Sequence, residues 1–322
     1  MLRLVTTILI AAVLAIAIPA HAQTYPSKPI RIIVPYPAGG TSDILARTIG
    51  QRLSESLGQP VVVENKPGAN GNVGADFVAK SPPDGHTLLL ADIGALAISP
   101  SVYPTLPFDP VKDFAPVTMV AYSPHILVVH PSVPASSVHE LVQLAKAKPG
   151  KLNFAISGVG GAPHLAGVDF AMRTGIDWTY IPYKGGAQAI ADVAGGQADI
   201  TLNGMLATYP LVQGGKLKLL AVSSAKRMSA IPDVPTIAES GVPGFESGSW
   251  QGVVAPSGTP KEIVARLNGE ILRIVNAADM RDRLGKQGAD VRTTTPDEFA
   301  AFIRTETAKW AKVVKDANIK IE

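Results

Sequence analysis

A β-branched run, Ile30-Arg31-Ile32-Ile33-Val34, leads into Pro35-Tyr36-Pro37-Ala38-Gly39-Gly40-Thr41-Ser42-Asp43, and a helical pattern follows. Leu45, Ile49, Leu53 and Leu57 recur every fourth residue, which predicts a helix over 44–57 with one buried stripe. Gly58 suits its left-handed C-cap. Val61-Val62-Val63 then reads as a strand buried on both faces. Strand, helix, strand in this order is a βαβ unit with a right-handed crossover. Its glycine pair lets the backbone turn sharply and leaves the amides uncovered. Thr41, Ser42 and Asp43 are all candidate N-caps. Such a turn presents free N–H groups at the positive end of a helix dipole, a site for a carboxylate or phosphate.

The alternation continues along the chain, which predicts α/β architecture with parallel sheets. A helix is expected over 72–80 and a strand over 87–91, followed by a second candidate loop, Asp92-Ile93-Gly94-Ala95-Leu96. Strands are expected over 117–122 and 126–129, with Ser123-Pro124-His125 as a crossing between domains. Ser157-Gly158-Val159-Gly160-Gly161-Ala162-Pro163-His164 repeats the first pattern of strand, Gly-Gly turn and helix. Two lobes facing each other would bring both turns to one cleft, where ligands bind in open α/β sheets. Strands over 198–202 and 217–222 complete the second sheet, and 223–248 reads as the return crossing. Thr295 and Glu298 form a capping box that opens the last helix. The expected division is 1–22 as a cleaved signal peptide, 23–121 as lobe 1, 122–224 as lobe 2, and 225–322 as a return to lobe 1 with the C-terminal helices.

The signal-peptide reading rests on Arg3, an apolar run over 9–18 and Ala20-His21-Ala22, a small-x-small cleavage site. The apolar run is short for a membrane span. The chain holds 29 Lys and Arg against 26 Asp and Glu; without 1–22, which carry Arg3 and no acid, 28 bases face 26 acids. That balance argues against nucleic acid as a partner. With no cysteine there is neither disulfide nor thiol nucleophile.

Candidate chemistry is narrow. Pro163 stands where a dinucleotide fingerprint needs its third glycine, and no phosphate-loop lysine motif occurs, so no nucleotide cofactor is expected. The five histidines beyond residue 22 show no metal-site spacing, so no metal is expected either. Ser157 and His164 lie close enough in sequence to meet, but Ala155 breaks the nucleophile-elbow pattern. Both read as hydrogen-bonding groups for a ligand, with no catalytic residue. Anion capture is what the residues support. Ala38, Gly39, Gly40 and Thr41 offer amides from one turn, with Asp43 at the helix start; Ser157, Gly160, Gly161 and Ala162 offer them from the other. Tyr36 and Tyr183 could line the cleft, and Asp199 could accept from a ligand hydroxyl or ammonium.

Six stretches in order carry a further signal. They are Tyr25-Pro26-Ser27-Lys28-Pro29-Ile30, the 35–43 turn, Glu64-Asn65-Lys66-Pro67-Gly68-Ala69, Pro82-Pro83-Asp84-Gly85, Pro182-Tyr183-Lys184-Gly185-Gly186 and Ala255-Pro256-Ser257-Gly258-Thr259-Pro260. The whole chain beyond the signal-like segment resembles the Bug family, the extracytoplasmic solute receptors of tripartite tricarboxylate transporters. The resemblance implies a type II periplasmic-binding-protein fold, two α/β lobes with a ligand cleft at a two-crossing hinge. It implies a small carboxylate ligand (a di- or tricarboxylate, an acidic amino acid or an aromatic acid), a two-subunit membrane permease as partner, a periplasmic location and a monomer. The family often has Phe at the position of Tyr36. The alternatives are a receptor that reports to a membrane sensor, and a secreted hydrolase using Ser157 and His164.

Overall fold

The computed structural model describes residues 25–316; the signal-like segment 1–22 lies outside them. The first unit forms as its pattern requires, with β1 at Ile30–Val34, α1 at Thr41–Leu57 and β2 at Val61–Asn65. Gly58 ends α1 at φ 67°, the left-handed conformation that spares only a residue without Cβ. A 3₁₀ turn (Ala69–Gly71), α2 (Asn72–Ala79) and β3 (Thr87–Asp92) follow, and then a π turn (Gly94–Ile98) and the short α3 (Ser99–Val102). The middle of the chain gives β4 (Phe114–Val129), α4 (Val138–Ala147), β5 (Asn153–Ser157), α5 (Ala162–Thr174), β6 (Thr179–Tyr183), α6 (Gly186–Ala194), β7 (Ile200–Gly204), α7 (Met205–Gln213) and β8 (Lys218–Val222). The remainder is β9 (Gly248–Pro256), α8 (Lys261–Val275), α9 (Ala278–Lys286), β10 (Asp290–Val291) and α10 (Pro296–Asp316).

The strands join in the order β2-β1-β3-β9-β4-β7-β5-β6, with β8 and β10 also paired to β4. β1 is parallel to β2 and β3, and β5 to β6 and β7. The sheet is mixed rather than parallel, because β9 runs antiparallel to β3 and β4, and β4 antiparallel to β7 and β8. These two long strands carry the chain between lobes. Up to Pro124, β4 pairs with β9; from His125 onward it pairs with β7 and β8. The expected break at Ser123-Pro124-His125 is therefore a change of partner within one continuous strand. Beside it, the Ser247 N–H donates to the Ser223 carbonyl at 2.9 Å, and the Ser223 N–H to the His125 carbonyl at 2.9 Å.

Residues on alternate sides of each strand feed separate cores. Ile30, Ile32 and Val34 pack with Leu45, Ile49 and Leu53 of α1 and with Leu267 and Ile271 of α8. Ile33 faces the opposite side with Leu89, Trp250 and Phe299. In the second lobe Leu127 and Val129 pack with Phe154, Phe170 and Trp178, while Ile126 and Val128 pack with Ile190 and Val193. The segment 225–247, expected with the first lobe, is anchored in the second: Ile237, Val242 and Phe245 enter one of its cores and Ile231 the other. Burial of these four side chains outweighs a local composition that reads as loop. α7 was also unforeseen, since Pro210 sits inside it and proline disfavours a helix interior.

The capping box is present. The Glu298 N–H donates to Thr295 Oγ1 at 3.3 Å, and the Thr295 N–H donates to Glu298 Oε2 at 2.8 Å. Thr295→Ala is expected to lower stability by about 1 kcal/mol, read as a fall in urea midpoint at unchanged slope.

Candidate functional site

Both lobes direct the carboxyl ends of their parallel strands at one cavity of ≈ 60 Å³. Tyr36 enters it just beyond β1, Asp92 from the end of β3, Ser157 from the end of β5 and Gly204 from the end of β7. Four helices start around it. The N-cap residues of α1, α5, α6 and α7 are Gly40, Gly161, Gly185 and Gly204, and no side chain caps any of the four. The first N–H groups of a helix have no partner within it. Gly40, Thr41 and Ser42, Ala162, Gly185 and Gly186, and Gly204 line the cavity. The positive ends of four helix dipoles thus meet at one place. Neither Lys nor Arg is among the lining residues.

The floor is polar and buried. His125, Gln251, Asn203 and Ser249 are 1%, 1%, 6% and 7% exposed. Asn203 Nδ2 and Gln251 Oε1 have no hydrogen-bond partner among the described residues. The Tyr36 hydroxyl donates to Asp92 Oδ1, and the Gly94 N–H donates to the same oxygen at 2.8 Å. Asp92 is half-buried, and it lines the cavity. Burial pushes its carboxyl up to about 6, against the opposing pull of Tyr36, Gly94 and Ser249. Burial likewise pulls His125 down to about 3, so its ring is neutral. His125 Nδ1 lies 2.6 Å from Ser247 Oγ, which ties β4 to the residue that leads into β9.

The lobes touch around the cavity. A Cβ placed on Gly185 would stand 2.4 Å from Pro37 Cδ, and one on Gly204 2.6 Å from Thr41 Oγ1. Asn70 reaches from the first lobe to the second glycine turn, where a Cβ on Gly161 would lie 2.9 Å from its Oδ1. Asn70 holds φ 55° and its neighbour Ala69 φ 45°. The left-handed region suits Asn but strains Ala, by roughly 1–2 kcal/mol.

Of the expected residues, Tyr36, Gly40, Thr41, Ser157 and Ala162 line the cavity. Ala38 and Gly39 are exposed, and the Gly39 N–H is spent inside the turn, donating to Asp43 Oδ2 at 2.9 Å. Asp43 faces inward. Burial opposes its ionisation, but Arg47, the Gly39 N–H and Asn65 together hold its carboxyl below the usual range. The N-cap is Gly40, rather than Thr41, Ser42 or Asp43. The Gly160 N–H donates to His164 Nδ1 at 3.0 Å, and the Gly161 N–H to the Gly158 carbonyl at 3.2 Å. His164 stands edge-on to Tyr180, with ring centroids 5.1 Å apart. Its Nδ1 thus steadies the turn rather than serving Ser157. Tyr183 lines a neighbouring hollow with Asn70 and Gly158, and burial followed by Asp192 raises its hydroxyl to about 12. Asp199 precedes β7, at the end away from Gly204, and accepts from the Asn153 N–H at 2.7 Å. The second candidate loop contributes Asp92 and Gly94 to the cavity, whereas the sequence reading missed Asn70, His125, Gly185, Asn203, Ser249 and Gln251 as site residues.

Two α/β lobes joined by a pair of crossing strands, with helix N-termini from both converging on a cavity between them, define a solute-binding receptor of the periplasmic-binding-protein class. The chain belongs to the tripartite tricarboxylate transporter family receptors (TctC), whose sequence model matches residues 45–319. It is similar to the protein BugT of Bordetella pertussis, 39% identical over 312 residues that span 97% of this chain and 96% of that one. Among solved structures it resembles R. palustris Rpa4515 with adipate, at a TM-score of 0.90 and 38% identity over 92% of this chain and 100% of that one. It also resembles MatC (Rpa3494) from Rhodopseudomonas palustris with bound malate, at 0.85 and 32% over 90% and 100%.

Proposed function

We propose that this chain captures a small carboxylate in the periplasm and delivers it to a two-subunit membrane permease, acting as a monomer exported on residues 1–22. The observation that carries the ligand class is the meeting of four glycine-capped helix N-termini at one cavity lined by neither Lys nor Arg. Main-chain amides at helix starts suit carboxylate oxygens. They hold less tightly than a bidentate arginine, which fits a carrier that must release its cargo. Relatives are solved with adipate and malate, both dicarboxylates. The lobes meet around the cavity, with Pro37 close to Gly185 and Thr41 close to Gly204, so capture proceeds through parting and closing of the lobes about the β4–β9 crossing.

The test is a thermal-shift screen of mono-, di- and aromatic carboxylates against the purified protein without residues 1–22. A ligand at 100 times its Kd stabilises the native state by about 2.7 kcal/mol, which raises Tm by several degrees. If no carboxylate raises Tm while another class of solute does, the ligand assignment is wrong.

A further inference from the structure

The floor of the cavity holds acceptors that a plain anion site does not require. Asp92 presents a carboxylate there, its Oδ1 held by the Tyr36 hydroxyl and the Gly94 N–H, with Ser249 beside it. Asp92 is paired in register with Gln251 of β9, whose buried Oε1 lacks a partner. With neither Lys nor Arg lining the cavity, no cation stands by to neutralise Asp92. A bound carboxylate drawn in by the helix N-termini would share the cavity with Asp92, and two carboxylates in one enclosed site cannot both stay ionised at low cost. One hydrogen between them removes the conflict. We propose that Asp92 makes this receptor select acids that arrive with a hydrogen-bond donor: a hydroxy- or amino-carboxylate supplies it from the ligand, and an unsubstituted dicarboxylate binds only together with a proton on Asp92.

This rests on the carboxylate reading above. The cavity-lining groups around Asp92 include Tyr36, the Gly94 amide, Asn70, Ser249 and Gln251 on β9, and His125 on β4. Burial holds the Tyr36 hydroxyl well above 10 and His125 down at about 3, so neither changes charge near neutrality. Asp92, at about 6, is the cavity-lining group that does. Its carboxyl is protonated below that value and ionised above it. Affinity for a donor-free diacid is therefore flat below about pH 6 and falls about tenfold per unit above it.

The probes are succinate and malate, both chiefly dianions at about pH 6.5 and above and differing by one hydroxyl. Calorimetry at about pH 6.5 and 8.5 is expected to show roughly 100-fold weaker succinate binding at the higher value, with proton uptake approaching one. Malate affinity should change less than about threefold, because its hydroxyl donates to ionised Asp92. In Asp92→Asn the amide donates at every pH, so the succinate dependence should flatten and the preference for malate at high pH should vanish. Equal succinate affinity at both pH values without proton uptake overturns the proposal, as does an Asp92→Asn variant that keeps the native slope. If that variant does not fold, proton uptake by the native protein, measured in two buffers of different ionisation enthalpy, decides alone. Failure of both acids to bind at any pH also overturns it, while the thermal-shift screen separately judges the carboxylate reading.

Discussion

Gly185→Ala is expected to weaken ligand binding roughly 5- to 150-fold and to leave the melting temperature of the ligand-free protein nearly unchanged, on the basis of an overpacking cost of about 1–3 kcal/mol. Gly185 has φ 176°, extended backbone that alanine adopts without strain. The lone obstacle is Pro37, whose Cδ would lie 2.4 Å from the new Cβ. Pro37 follows β1 in the first lobe, whereas Gly185 caps α6 in the second. In the parting of the lobes proposed above the two residues separate, so the clash exists only when the cleft is shut. A penalty confined to one of two states shifts their ratio and appears in full in the affinity of a ligand that needs that state. Gly269→Ala is the control, since a Cβ there meets nothing within 4 Å. Calorimetry with the best acid from the screen supplies the affinities. Native affinity in Gly185→Ala would mean that Pro37 and Gly185 do not meet in the bound form.

The units that bind locally were legible because their signals are local. Isoleucines and valines in a run, leucines at fourth positions and a glycine at the stop specify β1, α1 and β2 within a few residues. Thr295 and Glu298 announce their helix in the same way. The second lobe's two further glycine helix starts were open to the same argument. Gly185-Gly186 repeats the pattern of the other turns, and Gly204 ends the alternating stretch Ile200-Thr201-Leu202-Asn203. What stayed hidden depends on distant partners. Pro124 reads as a breaker, yet β4 passes through it because the register simply moves from β9 to β7 and β8. The antiparallel course of β9 is set by strands more than a hundred residues away in sequence. Asp92, His125, Asn203 and Gln251 come from four strands with no common spacing, so only the assembled sheet brings them together. Strand direction was the usable clue. Asp92 and Asn203 lie at carboxyl ends and reach the cavity, while Asp199 lies before its strand and does not.

Replacing His125 with Gln is expected to make the change in stability from pH 7 to pH 4 about 3 kcal/mol more favourable than in the native protein. His125 is 1% exposed, and burial pulls it down to about 3 from an ordinary value of 6.5. A folded-state value below the unfolded one means that the unfolded chain binds more protons across that window. The stabilisation is complete above about pH 6.5 and drains away as pH falls toward 3. Asp92 works in the opposite sense. Its carboxyl is raised to about 6 from 3.8, so the folded state binds the extra proton, and stability rises as pH falls through 6. Between about pH 6 and 4 the two slopes largely offset each other in the native protein. His125→Gln exposes the Asp92 slope alone, and Asp92→Asn exposes that of His125, so the variants should diverge from the native curve in opposite directions. Urea denaturation at pH 7, 5.5 and 4 measures this as differences in slope with pH, independent of any fixed cost of either substitution. Protonated His125 would place a charge at the crossing of β4 and the strand that returns through Ser247, where both lobes are joined. Acid loss should accordingly be a single transition of the whole molecule rather than separate melting of the lobes, and parallel native and His125→Gln curves would show that the ring carries no such load.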